Sequence, residues 1–181
     1  MTFPGPMPLT DGRLLLRLPE ERDVAQITRA CQDPTLAAFV PVPLPYTEEH
    51  AREFVRQRPE RWQADDGEMT WAVTAPEGGD LLGMVGLHAR DVTMREIGFW
   101  TAPWARGQGV MTSAARLVIR FGFDVLHLER VEWLAIVGND ASRRVAEKLG
   151  FTMEGTARKG ILHRGERRDA WVAGLLVGEL T

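Results

Sequence analysis

Hydrophobic residues along this chain fall into short runs with the spacing of β-strands. The first run, Leu14–Leu18, predicts an early strand. Thr70–Thr74 and Leu81–His88 predict two more, and Pro76–Asp80 between them has the composition of a hairpin turn. Further strand-like runs lie at residues 96–101, 130–137, 151–158 and 169–177. We therefore expect a sheet built from these segments.

Apolar residues spaced three or four apart predict helices between the strands. The first helical segment is Glu20–Gln32. A second follows Thr47, a good N-cap residue, and reaches about Gln63. Later helices are predicted from Met111 to Val125 and from Asn139 to Leu149, where Gly150 supplies a stop. Alternating strands and helices indicate a mixed α/β domain.

Prolines interrupt the pattern in two places. Three prolines within residues 1–11 favour an extended, flexible lead-in. Three more within residues 40–46 exclude regular helix and predict a stiff loop ending at Tyr46. No internal repeat or linker divides the remainder, so we expect residues 12–181 to form a single domain.

The composition disfavours several classes of function. Lys and Arg (22) against Asp and Glu (25) give a net charge of −3, whereas a general nucleic-acid binder usually has a strong basic excess. The single cysteine, Cys31, has no partner for an intramolecular disulfide, and the histidines lack zinc-ligand spacing, so no metal is expected. The N-terminus does not resemble a signal peptide, and no apolar run approaches the roughly 20 residues of a membrane span. We expect a cytoplasmic protein without membrane or nucleic-acid partners.

A glycine-containing segment carries the candidate chemistry. Between the run 96–101 and the next helix the sequence is Arg106, Gly107, Gln108, Gly109, Val110, Met111, Thr112. A helix start leaves backbone N–H groups unpaired at the positive end of the helix dipole. Glycines let that backbone approach a bulky anion closely. The combination predicts a phosphate site, in which each charge-assisted hydrogen bond contributes about 1.5–3 kcal/mol.

Two common phosphate motifs are missing from this segment. The chain has no Gly-x-x-x-x-Gly-Lys-Ser/Thr loop, which disfavours a nucleotide triphosphatase. It also lacks Gly-x-Gly-x-x-Gly, which disfavours a dinucleotide-binding fold. The segment alone could equally be a plain turn between a strand and a helix.

Other motifs follow the loop in a fixed order. They are the Arg-x-x-Gly-x loop from Arg106 to Val110, Asn139–Ser142, Glu147–Phe151, Glu154–Gly155 and Arg167–Asp169. Together they resemble the GCN5-related N-acetyltransferases, and most closely the branch that acetylates the N-termini of ribosomal proteins. The resemblance is strong over about residues 80–176.

This resemblance implies a fold and an acyl donor. The fold is α/β (α+β), with a mixed, mostly antiparallel central sheet of six to seven strands flanked by helices on both faces. The donor is acetyl-CoA, whose pyrophosphate would lie on the amides of Gln108, Gly109, Val110, Met111 and Thr112. Arg106 and Gly107 would shape the mouth of this cradle. The family often has Gly or Ala in place of Met111, so this larger side chain must find room.

The resemblance also implies how the coenzyme arm is held. The strand 96–101 would splay from the strand 130–137 and leave backbone groups to pair with the pantetheine. A donor in that wedge would stabilise the oxyanion, a contribution of about 2.7–4 kcal/mol in other acyl-transfer sites. Asn139 resembles the family asparagine that binds the arm. Asparagine is also a strong N-cap, and both roles remain open.

Many relatives use a tyrosine as the acid that protonates the departing thiolate. Here its counterpart is Ala146, and Tyr46, the single tyrosine, lies far away along the chain. Ser142 is the expected substitute, since related N-terminal acetyltransferases have a serine at this position. The alternative is a first-turn helix residue with a solvated hydroxyl.

Glu96 is the candidate general base. Alternation along the strand places Glu96 on the same sheet face as Gly98 and Trp100, near the wedge. The alternative is a solvated or salt-bridged glutamate, and His88 is a second candidate for the base and for substrate binding. An α-amine, with a pKa of about 7.7–8.0, could dispense with a base more easily than lysine, at about 10.4.

The expected reaction is direct transfer in a ternary complex. Cys31 lies outside every motif, so no acyl-cysteine is expected. Trp100 is a candidate for lining the acceptor slot, while the other tryptophans are assigned to packing. The leading acceptor is the N-terminal amine of a protein or peptide, and the enzyme should be a monomer or homodimer. A small-molecule amine, a catalytically weak CoA-binding sensor and an unrelated nucleotide-binding domain are the alternatives.

Overall fold

A computed structural model describes residues 5–64, 67–76 and 79–181. In these ranges the strands form one sheet of eight, ordered β1-β2-β3-β4-β5-β6-β8-β7. Their bounds are β1 Leu9–Thr10, β2 Leu15–Arg17, β3 Met69–Thr74, β4 Leu81–Ala89, β5 Met94–Thr101, β6 Arg130–Ile136, β7 Thr152–His163 and β8 Glu166–Leu176. Every neighbouring pair is antiparallel except β5 and β6, which are parallel. The mixed, mostly antiparallel sheet is therefore confirmed.

The parallel pair β5/β6 opens after its first residues. Its register runs from Met94 opposite Arg130 to Glu96 opposite Glu132 and then stops. Beyond Glu96, β5 stays paired with β4, and β6 stays paired with β8. The two strands thus diverge into the predicted wedge.

Helices cover both faces of the sheet, as expected. Their bounds are α1 Val24–Cys31, α2 Pro34–Ala37, α3 Glu48–Gln63, α4 Val110–Asp124 and α5 Asp140–Lys148. On one face α4 buries Met111, Ala115 and Val118 in the larger hydrophobic core. On the other face α1 buries Val24 and Ile27 in a smaller core. In the described ranges no helix is long and apolar enough to cross a bilayer.

Several boundaries differ from those expected. The strand count is eight rather than six to seven because the chain also pairs at β1, inside the segment expected to be a flexible lead-in. Trp71 helps to hold this segment, since its Nε1 donates to the Met7 carbonyl at 3.0 Å. Residues 1–4 and residues 77–78 of the Pro76–Asp80 turn lie outside the described residues.

Other differences lie in the helices and the last hairpin. The first predicted helix is divided, because Glu21–Asp23 forms a 3-10 turn before α1 begins. The second begins as expected: the Thr47 hydroxyl accepts the His50 amide at 3.4 Å. The expected strands 151–158 and 169–177 are longer, and β7 and β8 make an extended hairpin around Arg164.

Candidate active site

The glycine segment lies between β5 and α4, at the edge of the wedge. Gly109 is the N-cap of α4 and contributes no side-chain cap, so the first amides of the helix keep no side-chain partner. Gly107 and Gly109 both have φ of 75°, a left-handed conformation that favours glycine. No atom outside the adjacent residues lies within 4 Å of a Cβ built on either glycine. The surroundings of both glycines are therefore open, which leaves space for a bulky anion beside the start of α4.

Side chains of the segment fasten it to the rest of the fold. Arg106 Nη2 donates to Asp33 Oδ1 at 2.7 Å. This hydrogen bond with Arg106 holds the pKa of the Asp33 carboxyl below its usual value. Asp33 Oδ1 also accepts the Leu36 amide at 2.8 Å, which caps α2. Gln108 Nε2 donates to the Trp104 carbonyl at 3.1 Å, so this side chain folds back on the turn.

A cavity of about 560 Å³ lies beside the segment, and we call it the loop cavity. The predicted cofactor residues that line it are Arg106, Gly107, Gly109, Val110, Met111, Thr112 and Asn139. Gln108 is not among the lining residues. Arg144 and Lys148, four residues apart on α5, also line it and bring positive charge. These two residues were not among the predicted site residues, although their spacing of four places them on one face of a helix.

The Met111 side chain is buried in the larger core, with only 4% of its surface exposed. A Cβ on Gly83 of β4 would lie 2.9 Å from the Met111 Cε. The larger side chain at the start of α4 is thus accommodated by a glycine in the sheet below it. The amide of Met111 keeps its place in the first turn.

A second cavity, of about 910 Å³, lies over β4 and β5 around His88 and Glu96, and we call it the sheet cavity. Its lining includes the predicted residues Glu96, His88, Trp100, Asn139 and Ser142. The two cavities share Phe39, Val40, Phe99, Trp100, Asn139 and Ser142. The structure therefore brings all the predicted site residues except Gln108 to two adjoining cavities.

Ser142 lies in the first turn of α5, where the two cavities meet. Its Oγ accepts a hydrogen bond from Trp133 Nε1 at 3.0 Å. Its amide donates to Asn139 Oδ1 at 3.3 Å, so Asn139 does act as the N-cap of α5. Ser142 is half-buried and has a specific side-chain partner, which the sequence analysis did not anticipate.

Glu96 lies in a network of charged side chains. Its carboxylate is ion-paired with the Arg90 guanidinium. Arg90 Nε is also 3.9 Å from Glu132 on β6. The salt-bridged arrangement considered for Glu96 is thus present, and Glu96 still lines the sheet cavity.

His88 faces Glu96 across the β4/β5 ladder. Its ring lies against Gly98, where an added Cβ would come within 2.8 Å of the His88 Nε2. The other ring nitrogen, Nδ1, is 3.8 Å from Glu68 Oε1, and the same carboxylate oxygen is 2.7 Å from Arg58 Nη1. Glu68 lines the sheet cavity, and Arg58 holds its carboxylate. Sequence reasoning missed both residues, because they are distant along the chain from the recognised motifs.

Tyr46 is closer to the site than its place in the chain suggested. It lines the sheet cavity together with Ser142, because the proline loop folds over β4. Burial raises the pKa of Tyr46 and raises that of the neighbouring Cys31 thiol to about 12. Cys31 therefore stays a thiol near neutral pH, which makes it a poor nucleophile.

Within residues 5–64, 67–76 and 79–181, no three or more His, Cys, Asp or Glu side chains lie close enough together to hold a metal ion. The fit to coenzyme A rests instead on the free amides and on the positive charge at the loop cavity. Its candidate ligands are the first turn of α4, Arg144 and Lys148.

This chain is similar to known acetyltransferases. The family described as "Acetyltransferase (GNAT) domain" matches residues 13–152. "Putative ribosomal N-acetyltransferase YdaF" of Bacillus subtilis (strain 168) is 43% identical over 56% of this chain and 56% of its own length. "Probable N-acetyltransferase YjcK" of the same organism is 33% identical over 72% of this chain and 74% of its own.

Solved structures share the whole architecture. The crystal structure of a GNAT-family acetyltransferase from Bacillus anthracis superposes with a TM-score of 0.83 and is 27% identical. That match covers 94% of this chain and 98% of the other. The chain belongs to the GNAT acetyltransferase family and is an N-acetyltransferase of the GNAT type.

Proposed function

We propose that this enzyme transfers the acetyl group of acetyl-CoA to the α-amine at the N-terminus of a protein or peptide. The observation that carries this proposal is the meeting of the loop and sheet cavities at Asn139 and Ser142. A donor in one cavity and an acceptor in the other would meet there without a covalent enzyme intermediate. Direct attack in a ternary complex follows from that arrangement.

The loop cavity suits the coenzyme. Its pyrophosphate would bind the amides from Gly109 to Thr112, each charge-assisted bond contributing about 1.5–3 kcal/mol. Arg144 and Lys148 would add charge for the phosphates. The pantetheine arm would enter the wedge where β5 and β6 stop pairing after Glu96. Backbone N–H groups left free in that wedge are candidates for the oxyanion donor.

The sheet cavity suits a cationic acceptor that brings several residues with it. Its volume of about 910 Å³ lies near the upper end of the roughly 300–1,000 Å³ of small-molecule sites and leaves room for the first residues of a peptide. Its wall carries the carboxylates of Glu53, Glu68 and Glu96, each ion-paired with an arginine of the chain that an acceptor ammonium would have to share or displace. The aromatic faces of Phe39 and Trp100 can bind a cation beside them, whereas the ring of Phe54 is already covered by the Arg58 guanidinium.

The lower pKa of an α-amine favours it over a lysine side chain as the acceptor. Glu96, the candidate base, is already ion-paired with Arg90. At pH 7.5 roughly a third of an α-amine with pKa near 7.8 is neutral, against about 0.1% of a lysine amine. An acceptor with a substantial neutral fraction needs less help from a base, which suits a site whose candidate bases are an ion-paired glutamate and His88.

Acetyl transfer then requires one nucleophilic attack and two proton transfers. The neutral amine attacks the thioester carbonyl, a C–N bond forms, and the oxyanion collapses with cleavage of the C–S bond. Glu96 or His88, directly or through water, takes the proton that the new amide nitrogen loses. Ser142 Oγ–H protonates the departing thiolate, and the serine recovers its proton from solvent. The products are an acetylated N-terminus and free coenzyme A.

One observation favours a smaller acceptor as the second candidate. The tip of the β7/β8 hairpin is hydrogen-bonded to the end of α2 and to the loop that follows it. Arg164 donates to the Ala37 carbonyl at 2.8 Å and to the Val42 carbonyl at 3.2 Å. This contact closes part of the wall of the sheet cavity around His163. A compact amine such as a polyamine or an aminoglycoside would tolerate that closure better than a folded protein terminus.

A thiol-release assay with acetyl-CoA tests the proposal. The panel pairs each peptide with its α-formylated twin, so that only the terminal amine differs, and adds polyamines and aminoglycosides. We expect turnover on the free peptides alone, with mass spectrometry placing the acetyl group on the α-nitrogen. Turnover only on small amines would establish the second candidate. Tight acetyl-CoA binding without turnover on any amine would establish a sensor.

A further inference from the structure

Trp133 lies in the middle of β6, with 1% of its surface exposed. Its ring belongs to the larger core, and its edge reaches the sheet cavity. The indole Nε1–H donates to Ser142 Oγ at 3.0 Å, across the turn that joins β6 to α5. From the sequence alone Trp133 was assigned only to packing, because this hydrogen bond depends on how α5 folds back over β6.

The direction of this hydrogen bond is fixed by chemistry. An indole nitrogen is only a donor, so the Ser142 oxygen must be the acceptor. An unpaired indole N–H at this depth would cost free energy, which makes the bond persistent. The serine hydrogen consequently points away from Trp133, toward an acceptor elsewhere.

Helix capping does not compete for the Ser142 hydroxyl. A serine in a first turn often bonds to nearby backbone groups. Here Asn139 Oδ1 already accepts the Ser142 amide at 3.3 Å and performs the capping. Ser142 Oγ is therefore left with one fixed donor, Trp133, and one free hydrogen at the junction of the two cavities.

The same bond strengthens during proton transfer. When Ser142 gives its hydrogen to the thiolate, negative charge develops on Oγ. A hydrogen bond from a buried neutral donor to a charged oxygen is about twice as strong as one to a neutral oxygen. Trp133 thus stabilises the form of Ser142 that exists only after the proton has left.

We propose that Trp133 is a positioning residue that aims the Ser142 hydroxyl at the coenzyme sulfur and stabilises its developing charge. This inference rests on the proposed role of Ser142 as the acid. It requires no contact between Trp133 and either substrate.

A double-mutant cycle tests it with Trp133→Phe, Ser142→Ala and the combination. Phenylalanine keeps an aromatic ring in the core and removes the N–H donor. We expect W133F to lower kcat about tenfold while the KM for acetyl-CoA stays within about twofold. In the S142A background the same change should have no further effect on kcat.

Trp71→Phe is the matched control. Trp71 is also fully buried in the larger core, and its Nε1 also makes one hydrogen bond, to the Met7 carbonyl. It lines neither cavity. W71F should lower the melting temperature as W133F does and leave kcat unchanged. An equal loss of kcat in W133F with and without Ser142 would overturn the proposal, because packing alone would then explain it.

A second measurement does not depend on the folding of W133F. In protein labelled with ¹⁵N at tryptophan, the Trp133 indole N–H should exchange with solvent faster in S142A than in the wild type. An unchanged exchange rate would refute the hydrogen bond. Full activity of S142A would overturn both the acid role of Ser142 and this inference. Thiol release by the wild type would in that case still support the proposed acetyltransferase activity.

Discussion

The Met111 Cε occupies the space above Gly83, 2.9 Å from where a Cβ on that glycine would lie. Met111 lies in the first turn of α4, and Gly83 lies in β4. A Cβ on Gly83 would also overlap the backbone carbonyl oxygen of Trp100. The two residues therefore form a matched pair, in which the glycine makes space for the methionine and for the neighbouring strand.

Gly83→Ala should destabilise the protein strongly. The added methyl group meets both Met111 and the Trp100 backbone, and overpacking of this kind costs about 1–3 kcal/mol. Met111→Ala should not rescue it, because the clash with backbone remains. Thermal unfolding of the single and double variants measures this. Gly5→Ala, which meets nothing within 4 Å, is the control, and a Gly83→Ala melting temperature equal to that of the control would disprove the pairing.

Local signals in the sequence predicted the parts of the site that one segment builds alone. The glycine turn before α4 was predicted from Gly107 and Gly109, and both adopt φ of 75° as such a turn requires. The N-caps Thr47 and Asn139 also needed only their neighbours in the chain. For these features the interacting groups lie within a few residues of each other.

Features that join distant segments were missed. The Trp133–Ser142 bond and the position of Tyr46 in the sheet cavity depend on how whole elements pack. The β7/β8 hairpin was underestimated for another reason: most of β7 beyond Phe151 is exposed, so no hydrophobic alternation marks its length. A two-residue strand such as β1 has no periodicity to detect.

Gly109→Ala should weaken acetyl-CoA binding more than it weakens the fold. Alanine at φ of 75° costs about 1–2 kcal/mol, and relaxing that strain turns the first amides of α4 away from the pyrophosphate. Calorimetric titration with acetyl-CoA should show at least a roughly tenfold rise in Kd.

Gly12→Ala is the matched control for backbone strain. Gly12 has φ of 84°, equally open surroundings and no place in either cavity. The Gly12→Ala variant should lose a similar amount of stability and keep its affinity for acetyl-CoA. Equal affinities of the two variants for acetyl-CoA would show that the glycine segment does not bind the pyrophosphate.

Arg144→Ala combined with Lys148→Ala should weaken coenzyme binding through lost charge. Both residues line the loop cavity, and a phosphate contact from each would make binding depend on salt. We expect Kd for acetyl-CoA to rise about tenfold, with a shallower dependence on ionic strength. Arg143→Ala is the control, since Arg143 pairs with Glu147 and stacks on Trp171 instead. A Kd change no larger than that of the control would exclude the two residues from phosphate binding.

His163 should make the stability of the fold depend on pH. It is 6% exposed at the tip of the β7/β8 hairpin. Burial, followed by the charges of Arg164 and Arg168, lowers the pKa of its imidazole below 6.5. The unfolded chain then binds a proton more readily than the folded chain, so the stabilising contribution is complete above pH 6.5 and is lost as the pH falls through the folded-state pKa.

Urea denaturation between pH 7.5 and pH 5 measures this effect. The wild type should lose free energy of unfolding over this interval, and His163→Gln should lose less, because glutamine does not titrate. His127→Gln controls for histidine loss elsewhere, since His127 lies in the turn between α4 and β6 and lines neither cavity. Parallel pH profiles for the wild type and the His163 variant would show that protonation of this imidazole does not oppose folding. If the free energy of unfolding depends less on pH in the His163 variant alone, protonation of His163 at the β7/β8 hairpin causes the loss of stability at low pH.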